Sequence, residues 1–393
     1  MIQTLYGYIL AGIGVYFLVF SGINHIWQFI CTKKPQNRLP GDLEPGEMAI
    51  SVLIPARNEA ENLGPCLESL LQQEYPSYEI LVIDDNSEDA TWRIMEEYAI
   101  KHPGRLRIFK GKPLPEDWQG KCWALDQLVG EARGRYLLFT DADTRHTPQS
   151  LAFAAANLEE NRADMISGYT FQHMRTFGEK ITVPLLYMLT TLFLLLPLNS
   201  LFKKVSLFSP AIGQYIGVNR RKFIAAGGWS LVKKQTTEDI FIARKCKKAG
   251  FRTFFLNCTR VVSCRMFSGF REARRGLSKN IFDFLGRISA LLFFAFFAVL
   301  IFLVLPVYLG VFEFFRILCA GDLSMLCAPF RLCLLVNVLF IFLTWVFLFI
   351  SQGLPWFYAF LYPIMFVNLL NIALLSWYRS GRAGYIWKGR KVL

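Results

Sequence analysis

The sequence predicts an α/β domain, a mostly parallel sheet with helices on both faces, carried between transmembrane helices at both ends of the chain. Three observations predict it. Short apolar runs alternate with helical patterns through the middle of the chain. Long uncharged apolar stretches precede and follow that region. Clusters of Asp, Asn and Glu fall where the strands end. The chain has 393 residues, 53% of them apolar and 36 of them Phe, which is enough for a sizeable core and membrane segments besides.

Residues 5–30 (LYGYILAGIGVYFLVFSGINHIWQFI) carry no formal charge, and about 20 such residues span a bilayer as a helix. A cleaved signal peptide is the alternative. The run lacks a basic start and a small-x-small cleavage site, and it is too long. Phe29 and Ile30 argue against lipid attachment at Cys31. Residues 1–32 therefore read as an anchor, and the Pro/Gly-rich residues 33–47 as a linker.

Residues 48–265 hold the alternation. AISVLIPA, EILVIDD, RLRIFK, YLLFTDAD and DMISGYTF read as strands, with ENLGPCLESLLQQ, SEDATWRIMEEYAI, KCWALDQLVGEA and SLAFAAANLEEN as helices between them. Strands apolar on both faces belong to a covered, mostly parallel sheet. Such sheets bind ligands at the carboxyl ends of their strands. Pro55-Ala56-Arg57-Asn58-Glu59 follows the first strand, Asp84-Asp85-Asn86-Ser87 the second and Asp141-Ala142-Asp143 the fourth. Each cluster alone could be helix-capping chemistry. Three at one edge favour a site.

The run 181–202 is apolar but carries Pro184 and Pro197, which interrupt a helix. A single crossing there would put Asp143 and Asp239 on opposite sides of the bilayer. It is expected to lie in one leaflet, as an entrance for a lipid, or else to be a buried hairpin. Residues 266–287 read as an interfacial amphipathic helix. Residues 288–378 hold three candidate spans, about 288–312, 332–351 and 356–377, and 379–393 form a basic tail.

Lys and Arg number 43 against 30 Asp and Glu, a formal charge of +13. The excess flanks the apolar runs and suits an anionic phospholipid surface. No nucleic-acid recognition motif accompanies it. The nine cysteines form no CxxC pair, and with four histidines they give no zinc spacing, so they read as reduced thiols.

Asp-x-Asp at a strand end can hold a divalent cation, Mg²⁺ or Mn²⁺, that bridges phosphates. A nucleotide sugar needs that help, because its departing diphosphate gathers charge. Thr237-Glu238-Asp239 could supply a general base for an acceptor hydroxyl. Equally, Thr236, Thr237 and Asp239 could cap the helix IFIARKCKKAG, whose last turn holds Lys247 and Lys248 before Gly250. The two readings are compatible.

IPARNEAENL, VIDDNSEDAT, FTDAD, GVNRRKFIAAGGW and TTEDI, in this order, resemble the inverting glycosyltransferases of family 2, whose nucleotide-binding fold is called GT-A. The match covers residues 48–265. GKPLPEDWQGKCWALDQ, RMFSGF and the tail GYIWKGRKVL are similar to bacterial membrane glycosyltransferases associated with hopanoid and carotenoid biosynthesis. The resemblance implies roles. Pro55, Ala56, Arg57 and Glu59 would line the nucleotide pocket, with Asp84 and Asp85 at the base. Asp141 would sit near the ribose or the metal, and Asp143 would coordinate the metal. Asp239 would be the base, with Glu238 at the acceptor. Lys121 could reach the diphosphate or be a solvated lysine. Gly228 and Trp229 resemble an acceptor-side turn, or pack as an ordinary Gly-Gly-Trp turn.

Arg265, Arg271, Arg274 and Arg275 mark the membrane edge. Processive members of the family carry Gln/Arg-x-x-Arg-Trp here. Arg275 stands where Trp would be, which weakens the processive reading. No Ser-His-Asp or Cys-His arrangement suggests a covalent nucleophile. The expectation is a metal-dependent transferase that moves a sugar from UDP or GDP to a lipid acceptor, isoprenoid-derived, at the plasma membrane. Lys33, Lys34 and Arg38 put its domain on the cytoplasmic side. Three C-terminal spans would then send the basic tail outside, so one apolar stretch is expected not to cross. The alternatives are a polysaccharide synthase, a polyprenyl-phosphate glycosyltransferase and a catalytically silent scaffold.

Overall fold

The structure, a computed structural model, describes residues 2–40, 48–202, 206, 209–235, 237–284, 298–300, 304–321, 329–380, 385–387 and 390–392. In chain order the helices are α1 Ile2–Cys31, α2 Leu63–Leu71, α3 Thr91–Lys101, α4 Gly120–Glu131, α5 Ser150–Glu160, α6 Phe177–Thr182, α7 Pro184–Phe193, α8 Leu196–Leu201, α9 Arg220–Ala225, α10 Glu238–Lys248, α11 Phe270–Phe284, α12 Leu305–Ala320, α13 Pro329–Ser351 and α14 Tyr362–Ser380. The strands are β1 Met48–Ala56, β2 Tyr78–Asp84, β3 Leu106–Lys110, β4 Gly134–Phe139, β5 Thr144–His146, β6 Met165–Tyr169, β7 Phe171–Gln172, β8 Ile216–Asn219, β9 Thr253–Asn257 and β10 Val262–Cys264, followed by the hairpin strands β11 Tyr385–Trp387 and β12 Arg390–Val392. They form two compact units. One holds residues 26–173, 194–266 and 384–393, and the other holds 1–25, 174–193 and 267–383.

The first unit is built on a seven-stranded sheet of order β3-β2-β1-β4-β8-β6-β9. β8 runs antiparallel to both its neighbours, and every other pairing is parallel. Alternation along each strand sends successive side chains to opposite faces. Val52, Ile54, Ile80, Val82 and Leu138 meet Leu63, Leu67 and Met95 of α2 and α3 on one face. Leu53, Leu81, Ile83, Leu137 and Phe139 meet Leu125, Phe223, Trp229 and Ile242 on the other. Both faces are covered, so the strands need apolar residues at every position, as their near-continuous burial shows.

The chain leaves β1 toward β2 and β3, then returns to β4 on the other side of β1. That reversal opens a crevice at the carboxyl ends of β1 and β4, where open sheets bind ligands. A second sheet, β5-β10-β7, lies just beyond β4 in the chain.

In the other unit, α1 and α13 pack closely. A Cβ on Gly7 would lie 3.1 Å from Phe330, and one on Gly14 3.1 Å from the Asn337 backbone. Small residues of this kind let helices approach in a membrane. The Asn337 amide donates to the Leu10 carbonyl at 2.5 Å, and the Asn368 amide to the Thr182 hydroxyl at 2.8 Å. Among the described residues, three helices are long and apolar enough to cross a membrane, Thr4–Cys31, Pro329–Ser351 and Trp356–Tyr378. The expected span at 288–312 falls mostly outside the described residues.

The run 181–202 is broken into short helices. α7, its longest, has ten residues, about 15 Å against a hydrocarbon core of about 30 Å. Pro184 and Pro197 do not interrupt helices here. Pro184 is the first residue of α7 and Pro197 the second of α8, in the first turn where the missing N–H costs nothing. In α11, Ala273 and Leu277 are buried and Ser278 is held by the Ser376 hydroxyl of α14, so this amphipathic helix packs one face within its own unit.

Candidate active site

The crevice at the ends of β1 and β4 gathers charge from three distant parts of the sequence. Pro55, Phe139, Gly213 and Trp229 wall it around Lys121, Asp141, Glu238 and Asp239. Lys121 enters from the first turn of α4. Its ammonium lies 2.7 Å from Asp141 and 2.9 Å from Glu238. Burial works against that charge, but the two carboxylates outweigh it and hold the lysine protonated well above its usual range. Gly213 lies at the confluence. A Cβ there would meet the Lys121 ammonium at 2.9 Å and stand 3.6 Å from the Asp141 carboxylate. Gly213 carries no sequence signal, because a glycine in an irregular loop belongs to no pattern.

Asp239 sits in the first turn of α10. Its Oδ2 accepts the Gly213 N–H at 3.1 Å and its Oδ1 the Ile240 N–H at 2.8 Å. Burial, and then the neighbouring Glu238, raise its affinity for a proton, partly offset by Lys121 and the two N–H groups. Thr237 makes no side-chain cap bond, and Thr236 lies outside the described residues. Asp239 thus serves the helix start and the crevice together.

Asp141-Ala142-Asp143 turns away from β4. Asp143 is half-buried, its Oδ1 is buried without a hydrogen-bond partner, and burial together with repulsion from Asp141 and Glu59 raises its affinity for a proton. The Cys264 thiol is a hydrogen-bonding neighbour that favours its anion.

The remaining residues are placed as follows. Pro55 and Ala56 end β1 beside Ile83 and Asp84 of β2. Asp84 is buried and accepts the Ser87 N–H at 3.1 Å. Asp85 is buried, and its N–H donates to the Ala56 carbonyl at 2.8 Å. Arg57 is turned inward and donates to the carbonyls of Asp85 and Asn86 at 2.7 and 2.8 Å, clamping the loop after β2 to the loop after β1. Glu59 accepts the Asn62 amide at 3.0 Å. Gly228 has a φ of +57°, which favours glycine. Trp229 packs edge-on against Phe139, with ring centres 5.0 Å apart, so it is core as well as wall. Arg265 follows β10 in this unit. Arg271, Arg274 and Arg275 lie on α11 in the other unit, where Arg274 donates to Asn371 at 3.2 Å.

Comparison with known proteins accounts for this arrangement. The family model Glycosyl transferase family 2 matches residues 51–213, and Glycosyl transferase family group 2 matches residues 136–377. The chain belongs to glycosyl transferase family group 2. The glycosyltransferase AglE of Haloferax volcanii is 29% identical over 136 residues, covering 33% of this chain and 43% of the relative. The poly-beta-1,6-N-acetyl-D-glucosamine synthase of Staphylococcus epidermidis is 32% identical over 133 residues, covering 33% and 31%. The family chain described here therefore spans under half the length of these curated relatives. The mannosyltransferase PcManGT of Pyrobaculum calidifontis, solved in complex with GDP-Man and Mn²⁺, superposes with a TM-score of 0.51 at 15% identity over 95% of this chain and 98% of that one. That likeness shows the fold, which is GT-A.

Proposed function

We propose that this family member is an inverting glycosyltransferase that moves a sugar from a nucleotide sugar to a hydroxyl of a membrane lipid. The observation that carries the reading is the convergence of Asp141, Lys121, Glu238 and Asp239 on one crevice at the topological switch of the sheet. Residues 48–265 are the catalytic region.

The acceptor oxygen attacks the anomeric carbon from the side opposite the diphosphate. Asp239 takes the acceptor proton as that bond forms. Its raised proton affinity brings it closer to the range where a general base works best at neutral pH. The bond from the anomeric carbon to the diphosphate oxygen breaks, and the nucleoside diphosphate leaves with the electron pair. Lys121 exchanges its carboxylate partners for the diphosphate. Glu238, released from Lys121, orients the acceptor. Pro55, Ala56, Asp84 and Asp85 border the nucleotide, and Arg57 and Glu59 hold the loops that shape its pocket. Gly228 and Trp229 form the acceptor-side wall.

The chain's residues fit a divalent cation. Among the described residues no three acidic, His or Cys side chains form a cage. Two carboxylates, one with an orphaned buried oxygen, suit a cation whose shell is completed by substrate phosphates. Asp141 and Asp143 would hold Mg²⁺ or Mn²⁺, which when bound offsets charge on the leaving diphosphate.

The lipid acceptor rests on the apolar helices at both ends and on the sequence resemblance, which favours an isoprenoid-derived lipid. Lys33, Lys34 and Arg38 directly follow the first candidate span, where the positive-inside rule places a cytoplasmic flank. That placement supports a cytoplasmic domain at the plasma membrane, with Arg265, Arg271, Arg274 and Arg275 serving the anionic lipid surface. The Staphylococcus epidermidis relative favours a second reading, synthesis of a polysaccharide, which Arg275 in place of the processive Trp argues against.

The test is turnover of UDP- and GDP-sugars by the purified full chain, with Mn²⁺ and with chelator. Release of a nucleoside diphosphate that needs the metal and falls in Asp239→Asn is expected. Turnover equal in the variant would remove Asp239 from the chemistry.

A further inference from the structure

Packed against the Asp141–Asp143 turn is a buried polar cluster that the proposed reaction does not use: Thr140, Thr144, His146, Ser150 and Gln214, each at most 5% exposed. His146 Nε2 lies 3.0 Å from the Thr140 hydroxyl and 3.1 Å from the Thr144 hydroxyl. Its Nδ1 lies 2.8 Å from the Ser150 hydroxyl.

The two threonine hydroxyls lie 2.9 Å apart, and one arrangement of their protons satisfies both neighbouring carbonyls. Thr140 donates its one hydroxyl proton to the Gln214 carbonyl at 2.9 Å. Thr144 donates its own to the Asp141 carbonyl at 2.8 Å. Both oxygens can then only accept, and the donor that faces them both is the imidazole. Nε2 therefore carries the proton and is shared between the two oxygens, while Nδ1 accepts from Ser150. Burial keeps the ring neutral by lowering its pKa to about 3.

The two carbonyls at the far ends of this relay belong to the two halves of the site. Asp141 opens the acidic turn. Gln214 follows Gly213, whose N–H grips Asp239. We propose that His146 is a positioning residue: through Thr144 and Thr140 its Nε2–H fixes the Asp141–Asp143 turn against the Gly213–Gln214 segment, and so sets the donor-side carboxylates relative to the base. The functional part of this inference rests on the glycosyltransferase reading, and the geometric part does not. A core histidine that merely satisfied its own nitrogens would leave both segments in place when replaced by another residue that packs.

The experiment compares wild type, His146→Leu and His146→Gln as full chains in detergent, by hydrogen exchange and by Mn²⁺ binding. Gln can place an amide N–H near the Nε2 position and an oxygen toward Ser150. In His146→Leu, exchange rises at the Gly213 amide and at the Thr144 amide, which bonds the Asp141 carbonyl at 3.3 Å, while β1 and β2 keep their protection. Mn²⁺ affinity falls about 10–100-fold, the usual cost of losing an outer-shell partner. His146→Gln restores both. Wild-type protection at either amide in His146→Leu, or loss spread evenly over the sheet, would overturn the inference. Should His146→Leu fail to fold, Thr140→Val removes the hydroxyl that joins His146 to the Gln214 carbonyl and is expected to raise exchange at the Gly213 amide; unchanged exchange there overturns the inference equally. If wild type binds no Mn²⁺, the metal reading fails, and the exchange data still decide the positioning role.

Discussion

Lys121 stands between carboxylates from two different loops, and its removal leaves both without their cation. Lys121→Met is expected to lower the stability of the ligand-free protein by about 1–3 kcal/mol, the cost of unpaired carboxylates reduced by solvent screening. It is also expected to weaken nucleotide-sugar binding about tenfold, one lost charge-assisted contact; calorimetry measures both. Asp239 acts in the opposite sense. Its proton affinity is raised on folding, so between the unfolded and folded pKa values the folded protein binds more protons, and stability falls as pH rises through that window. Asp239→Asn is expected to abolish transfer yet melt higher than wild type at pH 8, with the gap closing near pH 4, in thermal scans of the ligand-free protein. At this scale the sequence singled out Asp141, Asp143 and Asp239, because carboxylates at strand and helix ends carry recognisable chemistry, and the structure brings Asp141 and Asp239 to one crevice. The sequence could not reveal that Lys121 joins Asp141 to Glu238, or that His146 Nε2 meets the hydroxyls of both Thr140 and Thr144, since both depend on how the chain folds. Arg57 shows the converse. Its place in a motif suggested the nucleotide pocket, and its guanidinium donates to two backbone carbonyls that no motif announces.

Strong periodicity made the elements of the first half legible. β1, β2 and β4 are continuous apolar runs and α2 to α5 are amphipathic or apolar helices between them. The four residues of β8 and the five of β9 are too short to show a period, so neither the antiparallel insertion nor the far edge of the sheet could be read. α10 ends as its sequence suggests. Gly250 takes a φ of +88°, and the N–H groups of Gly250 and Phe251 return to Lys247 and Cys246 at 3.0 and 3.1 Å, closing a Schellman turn. Lys247, however, does not face solvent. It is fully buried with its ammonium donating to the Asn199 carbonyl, and burial lowers its pKa from 10.5 to about 8. The folded protein thus binds fewer protons than the unfolded chain between those values, and wild-type stability rises with pH across them. Lys247→Met is expected to be more stable than wild type by about 1–2 kcal/mol at pH 7, after the lost hydrogen bond, with the advantage gone by pH 10.5. Urea titrations at the two pH values measure it, and a variant less stable at pH 7 would show that the hydrogen bond outweighs the buried charge.

For the whole molecule, composition alone separated an α/β region from apolar ends, because 53% apolar content concentrated in uncharged runs has few uses outside a membrane. The number of spans was harder to read. A broken run such as 181–202 matches a span in composition while its prolines fall in the first turns of short helices instead. We propose that these parts act together, Asp239 deprotonating a lipid hydroxyl as a nucleotide sugar gives up its sugar. The direct measurement is transfer of label from radiolabelled UDP- and GDP-sugars into organic-extractable membrane lipids, with wild type beside Asp239→Asn. Label entering lipid with wild type alone is the expected result. Label entering lipid equally with both proteins would contradict the claim and leave Asp239 as a structural group at the head of α10.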